Sequence, residues 1–591
     1  MKNSISKSLA SADRLLPAME LVGIFLWLSN LIRTNSYFSV YCLCGMAGLF
    51  CLIDNHRKDQ HLQGKAFGTG LALSICMSLA VAAANYLIFQ RVRNPAEVSP
   101  GANQLMNLLE CGAVILGGIP VFYEILRWFY CLTDPDRSVF RRPVSGAHPV
   151  KFYLICFGIM VLIDTVYLFF VDYPGNVSHD SLRQITQTYT GNYDNLVPYW
   201  YTRLIGLILK PGYWLFRDPN RAVAFYSFLQ ILAMTGIFAF VLVTLYEHRV
   251  SRLTIAAVFA IYAFVPYNIA FATSMWKDVL FTGFIVLLLT AQFRILRPMG
   301  KGWVNFLLMV LGGIGVSIMR TNGWYVMAIC FVLLLICGKE IRRKLALGMA
   351  IAAGVGFFLN VPMLKLQGIA GIDKIETMSL PIQQIARVVV QERPISQEDQ
   401  ELLNQVVELD KIPEIYQEWT SDPIKYMASL QNPEYFLDHP REFLSLWIRL
   451  GLQYPQDYFE GWVELTKGYW NGGYDYYIYA EYVADNDYGI AMDSRMNPIK
   501  QLVKAYFALS RESILFEPVL SIGLQVWIML GCWWLCGMRK RKETVLFIPL
   551  LVIIAGLWVG TPVFSEFRYA YPIAASLPLL VPMTLMGKKE L

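Results

Sequence analysis

Four short motifs in this chain carry the residue types that acid–base and phosphate chemistry need. The first, Asp172-Tyr-Pro-Gly-Asn-Val-Ser-His-Asp180-Ser-Leu-Arg-Gln184, follows directly on an apolar stretch. Pro174-Gly175 enforces a turn, and Ser178 or Asp180 suits the cap of a short helix through Gln187. That turn holds His179 and Asp180 just beyond the apolar stretch, where Asp180 can accept a proton from an attacking hydroxyl as a general base; as a purely structural residue it only caps the helix. Met275-Trp-Lys277-Asp278 opens another apolar stretch. Lys277 suits a phosphate contact and Asp278 its orienting partner or a second carboxylate, although the pair also suits a simple anchor with Asp278 at the positive end of a helix dipole. Met319-Arg320-Thr-Asn322-Gly323-Trp324 is a tight turn in which Arg320 offers a planar fork for bidentate phosphate binding. Ser565-Glu566-Phe-Arg568-Tyr569-Ala-Tyr571-Pro572 adds a second arginine beside a carboxylate and two tyrosines. Two arginines and a lysine beside a candidate base suit a lipid-linked phosphate ester, its head group at the interface and its tail in the bilayer.

These motifs border stretches apolar enough to be membrane helices, which need roughly 20 residues to cross a bilayer. Fourteen are predicted, near 14–33, 36–53, 67–90, 111–131, 152–171, 222–246, 253–272, 279–296, 303–319, 322–338, 345–362, 518–537, 544–561 and 569–586. With the N-terminus inside, the even-numbered connections carry Arg57, Lys58 and Lys65; Arg137, Arg141, Arg142 and Lys151; and Arg249 and Arg252. They continue with Arg294, Arg297 and Lys301; Lys339, Arg342, Arg343 and Lys344; Arg539, Lys540, Arg541 and Lys542; and, after the last span, Lys588 and Lys589. Basic residues mark the cytoplasmic side of short loops. Both termini are therefore predicted cytoplasmic, and all four motifs fall on the extracytoplasmic face together with a large segment, 363–514.

Composition agrees with a multi-pass membrane protein. The chain is 56% hydrophobic and 16% charged, against about 25% charged in an average soluble domain. The net charge of +6 resides in the predicted cytoplasmic loops, beside anionic head groups, and implies no nucleic-acid partner. The first apolar stretch reads as a span rather than a cleavable leader. All 11 cysteines lie in predicted spans, so segment 363–514 is not disulfide-stapled; Cys532 and Cys536 lack a nearby histidine or carboxylate and read as packed helix. Glu20, Glu110 and Glu124 lie near span ends, where partial solvation suffices. Asp164 lies mid-span and must face other helices or a wet cavity, either as a structural pair or in a functional role.

Four parts are predicted: a four-span extension, 1–150; a core, 151–362, with the motif-bearing loops; the mainly helical extracytoplasmic domain, 363–514; and three spans, 515–591. Within the core, Pro198–Phe216 is broken by Arg203, Lys210 and Pro211 and reads as an interfacial helix pair, with Tyr199, Trp200, Tyr213 and Trp214 at head-group depth. Within 363–514, helices are predicted at Pro381–Glu392, from Ser396 through Val407, at Glu434–Tyr454 and at Gln456–Tyr469. The stretch from Trp462 to Tyr488 is dense in rings (Trp462, Tyr469, Trp470, Tyr474, Tyr476, Tyr477, Tyr479, Tyr482) and reads as a loop that stacks on sugar faces or rests on the membrane.

On the Asp180, Lys277-Asp278, Arg320-Thr-Asn322-Gly323 and Glu566-Phe-Arg568-Tyr569 motifs, the chain resembles the GT-C superfamily of integral-membrane glycosyltransferases over residues 151–591. It looks most like a bacterial branch with a large outer domain before the last spans. The resemblance implies that the acid of the first long outer loop, Asp180, is the base, and that basic residues of later loops hold the phosphate of a polyprenyl-phosphate sugar donor. His179-Asp180 stands where many such enzymes have an acidic pair. A divalent cation, which wants several oxygen ligands, would find Asp180, Asp172 and Asp278 or Glu566.

The leading expectation is transfer of a sugar from a polyprenyl-phosphate donor to a cell-envelope acceptor, glycan, lipid or protein. Asp180 and Asp278 are the candidate catalytic carboxylates. His179, Lys277, Arg320, Asn322, Glu566, Arg568 and Tyr569 are the candidate substrate-binding residues. The alternative is a transporter or flippase of a lipid-linked or anionic solute, which would keep its binding groups near the bilayer midplane on broken helices.

Overall fold

A computed structural model describes residues 17–32, 39–58, 60–91, 99–133, 148–194, 196–336, 340–369, 374–431, 439–473, 482–513 and 516–586. The described residues are helical throughout, with isolated β-bridges and no strands. Up to residue 360 the helices are α1 (Pro17–Ile32), α2 (Ser39–Arg57), α3 (Gly64–Arg91), α4 (Pro100–Leu132), α5 (Pro149–Phe170), α6 (His179–Thr190) and α7 (Tyr199–Phe216). They continue as α8 (Pro219–Glu247), α9 (Arg252–Phe264), α10 (Pro266–Thr273), α11 (Lys277–Leu296), α12 (Gly302–Met319), α13 (Gly323–Ile336) and α14 (Glu340–Asn360).

Among the described residues, every predicted span overlaps a helix or two consecutive ones. Among the described residues, eight helices are long and apolar enough to cross a bilayer, and nine if α9 and α10, bent by 46° at Val265–Pro266, count as one. Pro17–Ile32, Gly323–Ile336 and Ile522–Met538 are apolar but shorter, and the last helix, Phe567–Leu585, contains three prolines. This is the build of a multi-pass helical membrane protein. Of the basic residues that set the predicted orientation, Arg137, Arg141, Arg142, Lys339, Lys588 and Lys589 lie outside the described residues.

Burial distinguishes the inner helices from the outer ones. Most of α11 is buried, and it packs against α12, α8 and the last helix. By contrast α5 presents Leu154, Ile155, Ile159, Leu162 and Phe169 outward, an apolar face of the kind lipid covers. Asp164 is buried within α5. The first four helices form their own cluster around Trp27, Tyr41 and Phe122 and dock on Ile522–Met538: Phe122 meets Trp527 edge-on at 5.2 Å, and Trp534 donates to Thr69 at 3.0 Å. Glu124 is fully buried rather than partly solvated, because Arg127 pairs with it at 3.0 Å and Asn55 donates to it at 2.8 Å.

Residues 198–216 form one helix, not an interfacial pair. Pro211 is tolerated because α7 is pinned along α8, where Tyr201 and Tyr226 share a 2.7 Å hydrogen bond and Gly212 abuts Ala222. Only Tyr213 and Trp214 of the four aromatics are exposed. Tyr199 is buried, and Trp200 donates to the Leu359 carbonyl of α14 at 3.1 Å.

The segment after α14 has a helical core of its own, with Ile385, Val388, Leu403, Ile424, Phe443, Leu446 and Leu450 at its centre. The predicted helices there appear as Ser379–Val390, Gln397–Asn404, Pro440–Gln453 and Pro455–Thr466, with 434–438 of the third outside the described residues; the Ser396 hydroxyl caps the second by accepting the Asp399 amide at 3.2 Å. Residues 469–473 turn back onto the bundle, where the Tyr41 hydroxyl donates to Asn471 at 3.0 Å.

Candidate active site

The loop from α5 to α6 is locked before it reaches Asp180. Asp172 is fully buried and accepts the Thr273 hydroxyl at 2.5 Å. After the cis Tyr173–Pro174 bond, Gly175 has φ +112°, and an added Cβ would lie 2.2 Å from Ser227 Oγ and 2.8 Å from the Thr273 carbonyl. Only glycine fits that approach. Asn176 donates its amide to the Thr273 carbonyl at 3.2 Å and accepts that of Met275 at 2.9 Å. Val177 pairs with 482–484, donating to the Tyr482 carbonyl at 3.0 Å and accepting the Ala484 amide at 2.8 Å. Ser178 caps α6, Asp180 sits in the first turn, and the Ser181 hydroxyl donates to the Met275 carbonyl at 2.6 Å.

This lacing sets Asp180 beside the start of α11. One oxygen, Oδ2, receives Lys277 Nζ at 2.9 Å and an Arg568 guanidinium nitrogen at 3.4 Å. Lys277, and after it Arg568, holds the Asp180 carboxyl well below the usual carboxylate range, although the side chain keeps 44% exposure. Arg568 also faces Glu566 at 3.4 Å. Arg320 caps the C-terminus of α12 and reaches Asp278 at 3.1 Å. Asp278 is only 1% exposed, and neither of its oxygens makes a well-aligned hydrogen bond among the described residues. The turn that presents Arg320 depends on Gly323, whose Cβ would stand 1.9 Å from the Val316 carbonyl. Tyr569 ties the two arginines together, with its ring 4.9 Å from the Arg320 guanidinium and 5.1 Å from that of Arg568.

Three cations and three carboxylates thus meet at the ends of α6, α11, α12 and the last helix. Each cation here faces a carboxylate, and the guanidinium forks supply directional donors of the kind that can also take an anion. The residues at the other end of α11 serve architecture instead: Arg294 joins Glu247, Thr244 and Asn305, and Arg297 binds the buried Glu543 at 2.6 Å.

Eight of the nine predicted site residues belong to this region. Asp180, Lys277, Asp278, Arg320, Glu566, Arg568 and Tyr569 are mutually connected. His179 is next to them but turns to Tyr482, with Nε2 2.7 Å from the phenol oxygen. Asn322 is exposed on its turn and makes no hydrogen bond to the cluster among the described residues. Sequence reasoning does not tie Trp276 to this site, and it reads Tyr469 and Tyr482 only as rings of a loop that stacks on sugars or rests on the membrane, without their partners here. Trp276 lies 5.3 Å beneath Arg568 and its place beside Lys277 is a signal in the sequence; the long-range partners carry none. Tyr474, Tyr476, Tyr477 and Tyr479 lie outside the described residues. Trp462 and Trp470 are packing residues rather than a sugar platform: they stack at 5.4 Å, and Trp462 donates to the Trp558 carbonyl at 2.8 Å.

A divalent cation does not fit this arrangement. Among the described residues, no group of three or more histidine, cysteine, aspartate or glutamate side chains is placed to hold a metal ion. Asp180 is already satisfied by two cationic side chains, and Asp172 is committed to Thr273.

No curated protein and no solved structure matches the chain. The match to a family begins just after Asp180 and leaves out the first five helices. The family described as a family of unknown function (DUF6020) matches residues 182–590, more than half of the sequence, and the protein belongs to that family.

Proposed function

We propose that this protein is a membrane glycosyltransferase of GT-C type, with fourteen spans and both termini in the cytoplasm. It moves a sugar from a polyprenyl-phosphate donor to a cell-envelope acceptor on the outer face of the cytoplasmic membrane. One observation carries the reading: Asp180, Lys277 and Arg568, from three distant loops, meet on a single carboxylate oxygen. The alternation of basic loops along the chain supports an extracytoplasmic position for that meeting point.

In the reaction, the acceptor O–H bond breaks as its oxygen bonds to the sugar's anomeric carbon, and the proton passes to Asp180. The bond from that carbon to the phosphate oxygen breaks, and the phosphate departs with the electron pair. Lys277, Arg568 and Arg320 neutralise the charge that grows on the leaving phosphate, and electrostatic stabilisation of this kind often contributes most to catalysis. Asp278 keeps Arg320 in place from below. The cations sit at helix ends, Lys277 as the first residue of α11 and Arg568 as the second of the last helix. That placement favours surface chemistry over midplane transport.

The test is turnover of a polyprenyl-phosphate sugar by the purified full-length protein. Asp180→Asn is expected to lower it by about 10²- to 10⁴-fold, the range for loss of a general base. Full retained turnover removes Asp180 from that role.

A further inference from the structure

We propose that the donor's phosphate displaces Asp180 from Lys277 and Arg568, so that the carboxylate is occupied before the donor binds and freed for proton uptake once the donor is seated. This rests on the function proposed above and adds a binding order to it, donor before acceptor.

Phosphate and carboxylate compete for the same cations. Each cation of the cluster already has a carboxylate: Lys277 has Asp180, Arg568 has Asp180 and Glu566, and Arg320 has Asp278. Phosphate oxygens need the same N–H groups, so binding requires an exchange. Asp278 is the costly one to abandon, because it is 1% exposed beneath an arginine stacked on Phe281 and Tyr569. A buried carboxylate stripped of its counter-charge is strongly destabilising. Asp180 is 44% exposed and engages both cations through one oxygen in the first turn of α6. A partly exposed pair is weak, and a single side-chain rotation hands Asp180 to water or to an acceptor hydroxyl. Glu566 can meanwhile keep Arg568 through Nε, leaving the terminal nitrogen that faced Asp180 for the phosphate.

The experiment measures binding, not turnover, on the purified full chain with farnesyl phosphate and, separately, inorganic phosphate. Asp180→Asn is expected to bind farnesyl phosphate about three- to tenfold more tightly than the parent, the scale of two exposed ion pairs that no longer compete. Asp180→Ser is expected to do the same, which guards against a peculiarity of one variant. Lys277→Gln is expected to weaken binding and, combined with Asp180→Asn, to remove most of the gain, a coupling that a double-mutant cycle reads directly. Tightening with inorganic phosphate as well keeps the exchange and identifies the phosphate group alone as the competitor. If the parent binds farnesyl phosphate and both Asp180 variants bind it equally or less well, the exchange is overturned while the transferase reading stands. If the parent binds neither probe, both fall.

Discussion

The hydroxyl of Tyr469 accepts the backbone N–H of Glu566 at 3.0 Å and donates to the Val563 carbonyl at 2.9 Å, so a residue of the large inserted segment shapes the loop that carries Arg568. The same segment braces that loop a second time, where Phe564 donates to the Trp419 carbonyl at 2.8 Å and Ser421 to that of Pro562 at 3.0 Å. The inserted segment is thereby a structural support of the cation cluster.

Tyr469→Phe removes the acceptor for a part-buried amide. Loss of such a partner costs about 1–3 kcal/mol. The expected result is a lower melting temperature together with weaker lipid-phosphate binding, because Arg568 loses its alignment. Unchanged binding would separate the inserted segment from the site.

Gly175→Ala and Gly191→Ala make a controlled pair. Both positions have positive φ, +112° and +78°, but an added Cβ at Gly175 meets Ser227 and Thr273 whereas at Gly191 it meets open space. Gly191→Ala is expected to cost about 1 kcal/mol from backbone conformation alone. Gly175→Ala adds overpacking of about 1–3 kcal/mol and displaces the α5–α6 loop. Thermal unfolding of the two variants should differ accordingly, with only Gly175→Ala losing phosphate binding.

The depressed Asp180 carboxyl links pH to stability. Lys277 and Arg568 lower its folded pKa from an unfolded value of 3.8. Its contribution is therefore present above about pH 4 and is lost as pH falls through the folded value. Because the group is partly exposed, the contribution is about 1 kcal/mol or less. The parent is expected to melt slightly above Asp180→Asn at pH 6, with the gap narrowing toward pH 3. A gap that widens on acidification contradicts the pairing.

Arg320→Lys keeps the charge but loses the fork and the stacking on Tyr569. Donor binding is expected to fall about tenfold or more, because the two cations are not interchangeable at stacked, directional sites. Asn322→Ala, on the exposed part of the same turn, is expected to change binding less than about twofold. Isotherms with a prenyl phosphate check both.

Much of this was legible in the sequence because hydropathy dictates where helices form. The described parts of the fourteen apolar stretches are nearly all helical, and the four motifs sit at helix ends since charge is excluded from their middles. The partners of those motifs were not legible. His179 meets Tyr482, and Glu566 meets Tyr469, across hundreds or scores of residues that no local pattern connects. Within the aromatic stretch, Trp462 and Trp470 look like a ligand platform by composition, yet their ring N–H groups reach the Trp558 carbonyl and the Thr466 hydroxyl. Pro211 misled through a local rule that packing on α8 overrides. Burial of Glu124 was hidden likewise: Arg127, three residues on in α4, is a local partner, but Asn55 reaches it only when α2 and α4 pack.

Native mass spectrometry of the full-length protein, released from native membranes, tests the central claim most directly. The account predicts a co-purified polyprenyl-phosphate sugar or polyprenyl phosphate on the parent, and its loss when Lys277, Arg320 and Arg568 are replaced by glutamine. A parent that carries no such lipid even when supplied with it, or a triple variant that carries it undiminished, would contradict the account.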